Sequence, residues 1–169
     1  MKYYAIGVPV GAFNEHDERY FFRDGQLLNM NGNAFQVWMA FLHGADPDQI
    51  VQDTKLAEQI PQDRLNAFLK ELVNARLLVP NQELFSCIPQ RQGYGTGFSV
   101  ERQDCEVFLN DAVHVSYPAY VLWSYCDGQS RCEAICARLA KELVIQMREQ
   151  QLFQLIDELL AKNLLLFVA

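Results

Sequence analysis

The sequence predicts an α+β fold made of two tandem copies of one unit, each a small antiparallel β-sheet followed by three helices. Three observations point there. The two tryptophans, Trp38 and Trp123, stand 85 residues apart, and each is followed within six residues by a glycine, Gly44 or Gly128. Two amphipathic stripes repeat one spacing: Leu65, Phe68, Leu69, Leu72 and Val73, then Leu152, Leu155, Ile156, Leu159 and Leu160, shifted by 87. Upstream of each tryptophan, paired apolar runs flank a tight-turn signal. Features recurring in one order mark an internal repeat, which places the copies at residues 1–83 and 84–169.

Each copy opens on a strand signal, Tyr3 to Val8 in the first and Leu84 to Ile88 in the second, ending near Pro9 and Pro89. A hairpin follows. Tyr20-Phe21-Phe22 and Gln26-Leu27-Leu28 surround Asp24-Gly25, where glycine takes positive φ at no steric cost. Val107-Phe108-Leu109 and Val113-His114-Val115 surround the weaker turn Asn110-Asp111-Ala112. The first helix carries the aromatic set Phe35, Trp38 and Met39, or Tyr120 and Trp123, read as core. The second starts at Asp46-Pro47, a capping carboxylate before a proline, or at Ser130 with Glu133 three residues on, a capping box. The third bears the stripe. Leu77-Leu78-Val79 and Leu164 to Phe167 then read as short closing strands. Gly93 to Gly97 reads as a flexible segment between copies or a long turn.

Composition narrows the function. Fourteen basic residues oppose 21 acidic ones, a formal charge of −7 that repels phosphate backbones and anionic lipid. The stretch after Lys2 is broken by Gly7, Pro9 and Gly11, which suits a strand and not a secretory signal. No apolar run reaches the roughly 20 residues that span a bilayer. A cytoplasmic chain without a membrane partner is expected.

A small sheet followed by three helices, the last two like a helix-turn-helix, describes a winged-helix variant. The hairpin, the tryptophan-bearing first helix, the following glycine and the endings Leu72-Val73-Asn74-Ala75-Arg76-Leu77-Leu78 and Leu159-Leu160-Ala161-Lys162-Asn163-Leu164-Leu165 resemble the PqqD-like family, or RiPP recognition elements. That family often has glycine where Arg76 and Asn163 stand. The resemblance implies capture of a leader peptide, in a pathway making modified peptides, by strand addition beside the third strand and against the third helix. It points to Gln26, Leu27, Leu28, Asn29 and Met30 with Arg64 and Lys70 in the first copy. In the second it points to Val113, His114, Val115 and Tyr117 with Lys162.

The rival reading is a winged-helix regulator that binds DNA, with a structural adaptor as a third. DNA is disfavoured because seven basic residues face eleven acidic ones in the first copy, and seven face ten in the second, with no basic stripe on either last helix. Cys126, Cys132 and Cys136 lack the short spacings of a metal site and read as core. His16, His43 and His114 lie in unrelated settings, and no serine or cysteine sits in a nucleophile turn. The expectation is a peptide- or protein-binding module with no cofactor, no metal and no chemistry of its own, the copies pairing with each other or in a homodimer.

Overall fold

Asp24 and Gly25 take φ of 50° and 73°, the two positive values that let a two-residue turn match the twist of its strands. The turn joins β3 (Glu18–Arg23) to β4 (Gln26–Asn31) in a computed structural model that describes residues 1–13, 15–143 and 148–169. The architecture is mixed α+β, with small antiparallel sheets and seven α-helices among the described residues. The chain divides into two compact units, Met1–Leu84 with Val168–Ala169, and Phe85–Phe167. Among the described residues, no helix is long and apolar enough to cross a membrane.

In the first unit the single strand expected from Tyr3 to Val8 is two, β1 (Tyr3–Ala5) and β2 (Val8–Phe13). The break falls at Gly7, φ 126°, where a Cβ would press within 3.0–3.2 Å of the Phe22 carbonyl, Phe21 and Trp38. Only glycine admits that conformation so close to the core. Strands β2, β3 and β4 form an antiparallel meander, while β1 pairs with β5 (Leu78–Pro80). The helices are α1 (Gly32–Met39), α2 (Pro47–Gln52), α3 (Thr54–Gln59) and α4 (Gln62–Asn74). That is one more than expected, because Asp53 is extended and ends α2; aspartate competes with the helix for backbone hydrogen bonds. Asn31 caps α1 by accepting from the Ala34 amide, and Asp46 caps α2 by accepting from that of Asp48. Trp38 is fully buried, 5.2 Å from the Phe21 ring, and its indole donates to the Leu77 carbonyl.

In the second unit β6 (Pro89–Arg91), β7 (Tyr94–Ser99), β8 (Asp104–Phe108) and β9 (Ala112–Val115) precede α5 (Tyr117–Tyr125), α6 (Cys132–Glu142), α7 (Glu149–Ala161) and β10 (Leu165–Phe167). The meander is β7-β8-β9, and β10 pairs with β6. Three expectations need correction. Leu84 lies in a 3₁₀ turn (Asn81–Ser86), and the strand begins only at Pro89. The glycine-rich segment is strand β7, not a linker or turn: its register shifts between Gly95 and Gly97, and a Cβ on Gly95 would collide with the Tyr120 hydroxyl. Glycines there admit a bulge and a close approach. Ser130 makes no capping box; Arg131 precedes α6 without a side-chain cap, and the Ser130 hydroxyl meets Asp127.

Each unit thus runs strand, three-stranded meander, helices and closing strand. Their long-range bonds correspond. Ile6 N–H donates to Leu77 and Gln92 N–H to Leu164, both at 2.9 Å. Arg76 and Asn163 take left-handed φ of 55° and 58° after α4 and α7, with Leu77 donating back to Leu72 and Leu164 to Leu159. Both helices therefore end in a Schellman motif without glycine.

Candidate functional site

Strand β4 ends its sheet, paired with β3 from Glu18 opposite Asn31 to Arg23 opposite Gln26, with no strand on its other side among the described residues. A two-residue turn makes its flanking pair hydrogen-bonded, and bonded and non-bonded pairs then alternate. Arg23/Gln26, Phe21/Leu28 and Arg19/Met30 are accordingly the bonded pairs. The N–H and C=O groups of Leu27 and Asn29 point away from β3, toward the open side.

Side chains alternate across this edge. Leu27, 54% exposed, shares the outer face with its partner Phe22, while Leu28, 37% exposed, shares the inner face with buried Phe21. Asn29 donates through Nδ2 to Glu18 on the outer face at 3.0 Å. Gln26 is exposed and Met30 half-buried. On α4, Leu65 and Leu72 enter the core, whereas Val73, Arg64 and Lys70 are exposed. Arg64 and Phe68 line an open cavity of about 340 Å³ with Asp17 and Asn31, at the far end of β4. Arg23 donates to the Ala75 carbonyl at 2.8 Å and fixes the other end of the helix.

In the second unit β9 is likewise the last strand of its sheet. Lys162 Nζ donates to the His114 carbonyl at 2.7 Å, which shows that this carbonyl faces away from β8. The His114 ring lies on the outer face, Nδ1 3.4 Å from Asp104 and Nε2 2.9 Å from Arg102. The Nδ1 atom is buried and makes no hydrogen bond among the described residues. Asp104 relates to His114 as Glu18 does to Asn29, one strand back on the same diagonal.

Two residues leave the candidate set. Val115 is 2% exposed and pairs with Cys105, so its side chain belongs to the core. Tyr117 sets its ring edge-on to Phe98 of β7, on the opposite side of the sheet from β9. Val113 is half-buried, at the place Leu28 holds in the first unit. Sequence reasoning missed Glu158, Ser116 and Arg23. Glu158 was signalled only by its i,i+4 spacing from Lys162.

The cysteine group belongs to the second unit's core. Burial pushes the Cys126 and Cys132 thiols far above the ordinary range and raises Cys136 to about 11. Cys126 and Cys136 donate to the carbonyls of Leu122 and Cys132, one turn back.

No family model matches the chain, and no curated protein matches it. It is similar to two solved structures of PKMT2 from Rickettsia typhi, one in complex with AdoHcy, at 12% and 11% identity and TM-scores of 0.34 and 0.35. Each match covers 99% of this chain and 42% of the PKMT2 chain, so this chain spans under half the length of the proteins it matches. The expectation that the chain has no chemistry of its own finds no support in these similarities. Likeness at that level transfers neither activity nor ligand.

Proposed function

We propose that the chain is a pair of winged-helix-like units, resembling RiPP recognition elements, that captures an extended peptide or protein segment by strand addition at β4. The observation that carries the reading is the outward-facing backbone of Leu27 and Asn29 on an edge strand that also exposes the Leu27 and Leu28 side chains. Unpaired edge groups template a further strand, and alternate guest side chains would meet Leu27 on one face and Leu28 and α4 on the other. Each backbone bond contributes a net ~0.5–1.5 kcal/mol. Burying one leucine contributes roughly 1.5–3 kcal/mol. Association costs about 4–15 kcal/mol, so the edge alone gives modest affinity and contacts with α4 would set selectivity. Exposed Arg64, beside Asn31 at the end of β4, favours a guest with an acidic residue there.

The test is selection of short phage-displayed peptides on the full chain, followed by titration of the best one. Leu27→Pro and Asn29→Pro each delete an outward N–H while leaving the ladder to β3 intact. Binding weakened about tenfold or more, with unfolding midpoints held, supports strand addition. Unchanged affinity in both variants, or no selectable peptide, removes it.

A further inference from the structure

We infer that only the first unit offers its sheet edge to a guest, and that the second keeps its equivalent edge closed with its own last helix. The inference rests on the strand-addition reading and narrows it from two equivalent positions to one. Strands β4 and β9 hold the same place. Each is the last strand of a meander and leads into a helix capped by its next polar residue, Asn31 or Ser116.

On β9 the outward backbone is already engaged. Lys162 Nζ donates to the His114 carbonyl at 2.7 Å. Glu158 accepts from the Ser116 amide at 3.1 Å and from the Ser116 hydroxyl at 3.0 Å. Lys162 and Glu158 are themselves 3.2 Å apart, one turn apart on the same face of α7. Together they form a polar clasp that uses the carbonyl and the amide an incoming strand would need.

Among the described residues, the first unit has no such clasp. His114 and Ser116 correspond to Asn29 and Asn31; Glu158 and Lys162 correspond to Glu71 and Ala75. Alanine has no donor to send across the edge. The Ala75 carbonyl instead accepts from Arg23 at 2.8 Å. The apolar side chains differ in the same direction. Exposed Leu27 is replaced by Ala112, and Leu28 by half-buried Val113, so β9 gives a guest less apolar surface to cover.

The experiment titrates the phage-selected peptide into isotope-labelled full chain, native and Lys162→Met, with Glu158→Gln as a second variant, following backbone amides and stoichiometry together. The native chain is expected to take one peptide, with the Leu27 and Asn29 amides shifting and those of Ala112 and His114 still. Either variant is expected to add a second, weaker site reported by Ala112 and His114. Peptide bound at both edges of the native chain, or no second site in either variant, overturns the closed edge while leaving strand addition intact. Shifts at neither edge overturn strand addition itself.

Discussion

Lys162 and His114, 48 residues apart in sequence, are joined by an ammonium-to-carbonyl bond of 2.7 Å that fastens the end of α7 to the edge of β9. The ammonium also meets Glu158 and is about a third exposed. Bonds to a charged group contribute ~1.5–3 kcal/mol when shielded, and less when water competes. Lys162→Met should therefore lower unfolding free energy by about 0.5–1.5 kcal/mol, read from urea denaturation. No loss would mean that the clasp does not hold in solution.

Arg76 and Asn163 both occupy left-handed backbone after a helix, but at different cost. The conformation costs most side chains roughly 1–2 kcal/mol and asparagine less. Arg76 recovers little through its exposed pair with Glu83, since such pairs contribute ~0–1 kcal/mol. Arg76→Gly is expected to leave stability unchanged or raise it by up to ~1 kcal/mol, and Asn163→Gly to stay within ~0.5 kcal/mol. Thermal midpoints of the two variants check the order.

Gly44 has φ of 73°, and a Cβ there would collide with the Tyr4 ring. Tyr4 is almost wholly buried, so the ring has no room to retreat. Gly44→Ala should destabilise by more than ~1 kcal/mol, from the strained conformation and the overpacking together. Equal midpoints for variant and native chain would contradict the packing described.

Cys136 holds its proton up to about pH 11, chiefly through burial, whereas an ordinary thiol ionises near 8.5. The thiolate is the reacting form, so alkylation by iodoacetamide near pH 8 should run ~100-fold or more slower than for a cysteine peptide. The folded state binds the proton more tightly than the unfolded one. Its stabilising effect is therefore complete below about pH 8.5 and is lost as pH rises through about 11. Cys136→Ala should flatten part of that decline in urea titrations at successive pH values. A decline identical in both chains would assign it to Cys126 and Cys132, whose thiols are raised by burial too.

Local signals carried much of this fold. Asp24-Gly25 dictated its turn, Asp46-Pro47 its helix start, and the leucine stripes the buried faces of α4 and α7, because φ preference and helical period act within a few residues. Asn163 could be read as a left-handed cap for the same reason. Tertiary structure decided what depends on a distant neighbour. Gly7 splits a strand because Phe21 and Trp38 crowd it, and Tyr94 to Ser99 form β7 because Tyr120 and β8 lie against its glycines. The candidate site divided in the same way. The strand and helix could be named in advance, but Val115 faces inward, Tyr117 turns to Phe98, and Lys162 reaches His114 across 48 residues. Which of two equivalent edges stays open is set by which side chain stands within reach of a backbone carbonyl, and that separation in space is not written in any local run of sequence.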